Sequence, residues 1–204
     1  GLWMQLLEYW LEEAGYQTVN YSYPSITRTP SENAEDLHAL LEHVDTPVVH
    51  FLAHSMGGLV AARFVALGLR PVDALVLSSP ALDAGLGPVQ KLLLATLPRI
   101  APNLRVGNGL DARYLSHDDA VVRAYLADPL CHNRIRARLA RFIAEAGPAT
   151  VARAAHWQVP TLLLWAGADR LVNPAGSRAF AAAAPRGRVQ AHCFEPLYHE
   201  LFNE

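Results

Sequence analysis

Hydrolysis through a covalent acyl intermediate needs a nucleophile, a base and an orienting carboxylate, and this sequence offers candidates for all three. Ala53-His54-Ser55-Met56-Gly57-Gly58 places Ser55 straight after a short apolar run and straight before a helical pattern, the strand–turn–helix context of a nucleophile elbow. Such a turn calls for small residues two before and two after the serine. Ala53 and Gly57 supply them, Ala53 replacing the glycine of the usual G-x-S-x-G, and Gly58 lets the helix approach the sheet. Met56 would offer a backbone N–H at a helix N-terminus to a developing oxyanion. A serine hydroxyl is a weak nucleophile until a base takes its proton, so a histidine and a carboxylate must converge on it. Asp169 lies just past the apolar run Leu162-Leu163-Leu164-Trp165-Ala166, where site residues of open α/β sheets gather. His199 follows the last apolar run, in Pro196-Leu197-Tyr198-His199-Glu200. The plain alternatives are a chance serine in a strand–helix turn and a structural histidine. Glu195 is the reserve acid and Asp73 a weaker one. His54 is expected to point away from Ser55, His192 to sit within a strand, and His156 near the end of an insertion.

The chain that must position these groups has 204 residues, 51% of them hydrophobic and 18% charged. Average proteins are about 25% charged, so a disordered chain, a nucleic-acid-binding arm and a polar solenoid are excluded. A net charge of −2 gives no pull toward polyanions. No apolar run reaches the roughly 18 residues of a membrane span, and no secretory pattern opens the sequence. The expectation is a cytoplasmic chain with no stable membrane insertion and no nucleic-acid partner. Cys131 and Cys193 are too few for a disulfide scaffold and read as buried thiols, a single bridge being the alternative. No Cys/His cluster has metal-ligand spacing, so neither a metal nor an organic cofactor is expected.

Helices and strands alternate. Apolar spacing in Leu6, Leu7, Trp10 and Leu11 predicts a helix over 3–14, stopped by Gly15. Residues 16–21 read as a strand, and a helix carrying Leu37, Leu40, Leu41 and Val44 opens near Ser31. Strands at 48–53, 72–78, 161–166 and 189–194 and helices at 56–67 and 174–184 complete a mostly parallel sheet covered on both faces. The fold class is α/β with five to six strands. Residues 1–79 and 158–204 would form the core, and residues 80–157, with no convincing strand, a helical insertion. In it, Ser116 and Asp119 read as a capping box before Val121, Val122, Tyr125 and Leu126, and Asp128-Pro129 ends that helix. A second helix over 134–146 would face Ile135, Leu139, Phe142 and Ile143 inward and Arg134, Arg138 and Arg141 elsewhere.

Several of these segments resemble the monoacylglycerol lipase and lysophospholipase branch of the α/β-hydrolases. They are His54-Ser55-Met56-Gly57-Gly58, Ser78-Ser79-Pro80-Ala81-Leu82, Tyr114-Leu115-Ser116-His117-Asp118, Asp128-Pro129-Leu130, Gly167-Ala168-Asp169 and Tyr198-His199-Glu200-Leu201-Phe202-Asn203-Glu204. The resemblance implies Ser55 as nucleophile, Asp169 as acid and His199 as base, with 80–157 a cap whose apolar wall accepts an acyl chain. Gly1-Leu2-Trp3-Met4 and the stretch from Gly15 to Ser25 are more similar to small bacterial lipase-like hydrolases, which carry His-Gly-Leu before the first helix. If Gly1 is that glycine, Leu2 gives the second oxyanion N–H, and the core is trimmed at both ends. Residues 1–62 hold eight acidic side chains against one basic, Arg28, whereas 63–204 hold eleven against sixteen. Patchy surface charge accounts for this; so does a chain recombined near the elbow.

The expected activity is hydrolysis of short- to medium-chain esters or monoacylglycerols. Lysophospholipids and aryl esters come behind, Arg134, Arg136, Arg138 and Arg141 being either a phosphate-attracting set or a solvated helix face. The competing reading is a catalytically impaired binding module. A sheet short of strands would also expose an edge through which two copies could pair.

Overall fold

Parallel strands cannot be joined by a tight turn, so each needs a crossover, and that requirement orders most of this chain. The computed structural model describes residues 2–21, 30–43, 46–101, 103–129 and 131–204. The chain falls into two units, 1–45 with Asn203 and 46–202 with Glu204.

In the first unit α1 (Leu2–Glu13) ends as expected at Gly15, whose φ of +88° suits only glycine well and whose N–H reaches Glu12 O at 2.9 Å. Helix α2 (Pro30–His43) starts with proline in its first turn, one residue before Ser31. Gly1, Pro24 and Val44 lie outside the described residues. The strand expected at 16–21 is not there. That segment is bonded to α1, Tyr16 N–H to Leu11 O at 3.0 Å and Thr18 Oγ1 to Glu12 at 2.6 Å, and it lies in no strand ladder. β-Propensity describes a residue that fits a pleated surface, and here no strand among the described residues provides one.

The second unit opens with β1 (His50–His54), α3 (Ser55–Leu67) and β2 (Ala74–Ser78). Gly68 closes α3 in the left-handed conformation, φ +63°. The chain then leaves the sheet through α4 (Pro88–Ile100), β3 (Arg105–Gly107), α5 (Asp119–Ala127), β4 (Arg134–Arg136) and α6 (Ala137–Val151). It returns as β5 (Thr161–Ala166), α7 (Pro174–Ala183) and β6 (Val189–Phe194). Among the described residues the main sheet has four strands, all parallel, in the order β1-β2-β5-β6, fewer than the five to six expected because 16–21 adds none. Leu59 and Ala62 of α3, Leu75 and Leu77 of β2, Leu163 of β5 and Phe180 of α7 are fully buried in the core around the sheet.

Two features of the insertion correct the sequence reading. First, it contains strands: β3 pairs antiparallel with β4, Val106 opposite Ile135. Three-residue strands are too short to display an alternation, and one of them took over the start of the expected 134–146 helix. Arg134 and Arg136 therefore belong to a strand, beside Arg105, while Arg141 is tied to Glu145 at 2.7 Å. Second, Asp118 caps α5, its carboxylate accepting Ala120 N–H at 2.7 Å, while Ser116 Oγ accepts Asp118 N–H at 2.9 Å. Helix α6 packs on both α3 and α7, so it is the crossover helix between β2 and β5 as much as a part of the insertion. Both cysteines are free thiols, half-buried. No described helix is long and apolar enough to cross a membrane.

Candidate active site

Strand β1 delivers Ser55 at the C-terminal edge of the sheet, and the turn is tight enough to force Ser55 to φ +53°. A serine held there is strained, and the strain points its hydroxyl out of the helix that follows. A Cβ on Gly58 would stand 3.0 Å from Pro80 Cβ and 3.1 Å from its Cα, so glycine lets α3 lie against the end of β2. At Gly57 a Cβ would meet nothing within 4 Å outside its own helix, so the collision expected there does not arise. Met56 lies in the first turn of α3, whose leading N–H groups have no intrahelical acceptor. Leu2, expected as the second oxyanion donor, opens α1 in the other unit.

Asp169 and His199 come from the turns after β5 and β6, adjacent parallel strands that end side by side. Gly167 N–H bonds Phe194 O at 2.9 Å and Ala168 N–H bonds Leu197 O at 3.2 Å, which stitches the two turns together. A Cβ on Gly167 would come within 2.6 Å of Glu195 Cα, so only glycine allows this approach. The result is a hydrogen-bonded chain. His199 Nε2 stands 2.8 Å from Ser55 Oγ, and His199 Nδ1 stands 2.7 Å from Asp169 Oδ2. The other oxygen, Oδ1, accepts the N–H groups of Leu171 at 2.8 Å and Val172 at 2.9 Å. Asp169 and His199 are buried, which strengthens their attraction and fixes the imidazole plane. This arrangement can lift the proton from Ser55 while Asp169 holds Nδ1–H and stabilises the imidazolium that forms.

The reserve candidates are engaged elsewhere. Glu195 accepts from Arg178 at 3.1 Å and from the Cys193 thiol at 3.2 Å, contacts that hold its carboxyl below the usual range. Asp73 accepts Val49 N–H at 2.8 Å, ahead of the first residues of β1 and β2 and so at the end of the sheet opposite Ser55. His192 is bonded to Gln190 on the exposed face of β6, and His156 sits in a short 3₁₀ turn.

His54 packs beside the site, its ring centroid 4.8 Å from that of His199 and its Nδ1 3.1 Å from Ser78 Oγ. Burial above all, and then the neighbouring His199, push its pKa from 6.5 down to about 3, against a hydrogen bond to Ser78 that favours the proton. His54 is therefore neutral wherever His199 must cycle its proton. The unfolded chain binds this proton more readily than the folded one, so the group's effect on stability is absent above pH 6.5 and grows unfavourable as the pH falls toward 3. Melting temperatures of His54→Asn are expected to fall less steeply than those of the parent chain between pH 6.5 and pH 4.

A cavity of about 690 Å³ lies within the insertion and reaches Leu171, its lining mixing Leu110, Leu115 and Leu126 with Asp111, Arg113 and His132. Leu171 and Leu115 are each one bond from the catalytic turns, through Asp169 Oδ1 and through Glu200 N–H, which bonds Leu115 O at 2.9 Å. Helix α4 carries exposed Val89, Leu92, Leu93 and Ile100. Among the described residues no cluster of His, Cys, Asp and Glu could hold a metal ion.

Residues 26–204 match the family model described as serine aminopeptidase, S33. The chain belongs to that family of α/β-hydrolases. It is 36% identical over 185 residues to monoacylglycerol lipase of Mycolicibacterium smegmatis, covering 87% of this chain and 65% of that protein. It is 30% identical to phospholipase YtpA of Bacillus subtilis over 100% of this chain and 84% of that one. The solved structure of Paleococcus ferrophilus monoacylglycerol lipase superposes with a TM-score of 0.88 at 29% identity, covering 96% of this chain and 80% of that chain. The chain thus spans slightly less than two thirds of the mycobacterial relative's length. The YtpA match runs through the elbow from one end of this hydrolase to the other.

Proposed function

We propose that this chain is a serine carboxylic-ester hydrolase acting on monoacylglycerols or other short- to medium-chain esters, with Ser55, His199 and Asp169 as its triad. The observation that carries this reading is the continuous hydrogen-bonded chain from Ser55 Oγ through His199 to Asp169, at 2.8 and 2.7 Å. His199 takes the Ser55 proton as Oγ attacks the ester carbonyl. Met56 N–H meets the oxyanion, and the protonated His199 then gives its proton to the departing alcohol. Water enters, His199 acts as base again, and the acid product leaves with Ser55 restored. No step needs a metal. The segment from α4 to β4 would act as the cap, and its cavity has the size of a small-ligand site, with apolar residues beside polar ones. The lipase names of the mycobacterial and archaeal relatives favour a glycerol ester.

Purified protein should hydrolyse p-nitrophenyl esters, and Ser55→Ala should lose about a millionfold in kcat. Equal background rates for the two proteins would end the enzyme reading. The same assay across acyl chains from two to sixteen carbons gives the length preference. A second reading, lysophospholipid hydrolysis, is favoured by Arg105 lying directly opposite Arg136, with Arg134 on the same face of the β3–β4 ribbon, and by the phospholipase name of the Bacillus relative. Like charges placed opposite each other are unfavourable unless an anion or solvent separates them.

A further inference from the structure

Among the described residues two that are not glycine have left-handed backbones, Ser55 at φ +53° and Ser79 at φ +41°. The elbow accounts for the first, and no catalytic step accounts for the second. A left-handed serine costs conformational energy and persists only where its surroundings over-determine it. Ser79 is 1% exposed and immediately follows β2. In this conformation its N–H bonds Leu164 O of β5 at 2.8 Å while its hydroxyl donates to the backbone carbonyl of His199 at 3.0 Å, 120 residues along the chain.

The rest of the same turn grips the nucleophile. Ala81 N–H bonds the carbonyl of Ser55 at 3.0 Å, Pro80 packs against Gly58, and Ser78 Oγ lies 3.1 Å from His54 Nδ1. Within four consecutive residues, Ala81 and Ser79 thus hold the backbone carbonyls of Ser55 and His199. On its far side the histidine turn is held by the insertion, with Glu200 N–H on Leu115 O at 2.9 Å.

We propose that Ser79 is a positioning residue for acyl transfer, its hydroxyl setting where His199 Nε2 stands relative to Ser55 Oγ. This rests on the acyl-transfer reading. Loss of the hydroxyl frees the carbonyl of His199 and lets the imidazole drift, and a displacement of about 1 Å costs on the order of a hundredfold in rate.

The test compares Ser79→Ala, which removes the hydroxyl and keeps the strain, with Ser79→Gly, which removes both. Each is measured for kcat, KM, melting temperature and rate of covalent labelling by a fluorophosphonate. The expected result is a fall of about ten- to a hundredfold in kcat and in labelling rate for both variants, with KM within about twofold. Glycine should melt no lower than alanine and yet should not recover the rate. Wild-type kcat in folded Ser79→Gly overturns the proposal. So does a loss that tracks the unfolded fraction, with the folded remainder fully active. A parent chain that takes no label overturns the acyl-transfer reading and this proposal together, an outcome distinct from a labelled parent with an equally labelled variant.

Discussion

Replacing Asp169 with asparagine is expected to lower kcat for ester hydrolysis by about 10⁴-fold while the protein stays folded. Asp169 Oδ1 accepts two backbone N–H groups, from Leu171 and Val172, and a carboxamide oxygen does this equally well. Those two donors fix the side chain's orientation, so the amide nitrogen must occupy the place of Oδ2, 2.7 Å from His199 Nδ1. Two N–H groups cannot face each other there. The imidazole is driven to the tautomer with its proton on Nε2, the nitrogen 2.8 Å from Ser55 Oγ, and a nitrogen that carries a proton cannot take another. Asp169→Ala should be different in kind, because it also orphans the two backbone donors and lowers the melting temperature. Paired melting curves and steady-state rates separate the two effects. An asparagine variant within tenfold of the parent would show that Asp169 does not set the tautomer.

The largest effect on stability is expected outside the Ser55–His199–Asp169 line, at Gly147. This residue lies in α6 and is buried against the chain leaving β2. A Cβ there would overlap the carbonyl oxygen of Leu82 and stand 2.8 Å from its carbonyl carbon and 3.3 Å from Ala81 O. Neither obstacle is a side chain that can swing aside. Overpacking in a core costs roughly 1–3 kcal/mol, and a clash with backbone on both sides belongs at the upper end. In a domain of this size about 3 kcal/mol lowers the melting temperature by roughly 6–12 °C. Gly187→Ala is the control, since a Cβ there meets nothing within 4 Å. Thermal melts of the two variants decide the matter, and a Gly147→Ala protein as stable as its parent would mean that α6 docks less tightly than its contact with Leu82 requires. Ala81, the next residue back, bonds the carbonyl of Ser55, so a shift of α6 should also slow fluorophosphonate labelling of Ser55.

The residues differ in how far the sequence revealed them. Ser55, Asp169 and His199 were legible because each stands at a strand end, and the strands that carry them are short apolar runs with turn residues behind them. The boundaries of β5 and β6 could be read to the residue for the same reason. The strand expected at 16–21 did not form because strand propensity acts only beside a pairing strand, and among the described residues this segment lies in no ladder. The β3–β4 ribbon was missed for the opposite reason. Three residues show no period, and the partners lie 29 positions apart, Val106 against Ile135. His54 was set aside as pointing away from the nucleophile, and nothing local reveals that the turn after β6 brings the His199 ring against it. Ser79 carried a signal, since Ser-Ser-Pro-Ala-Leu was among the matching segments, but no role could be attached to it before its hydroxyl was seen on the His199 carbonyl.

By itself the sequence determined the α/β class, the apolar character of its 204 residues, the elbow pattern and the choice of three candidate side chains. These follow from local rules, namely apolar period, turn chemistry and residue type, each of which acts over a few neighbours. Tertiary structure alone decided that the three side chains share one hydrogen-bonded line. It also decided that α6 serves the core, that Gly57 is free while Gly58 and Gly147 are not, and that one turn after β2 grips the backbone of both Ser55 and His199. Those outcomes depend on which strands become neighbours and how closely backbones approach, and contacts that join residues more than a hundred positions apart leave no local pattern.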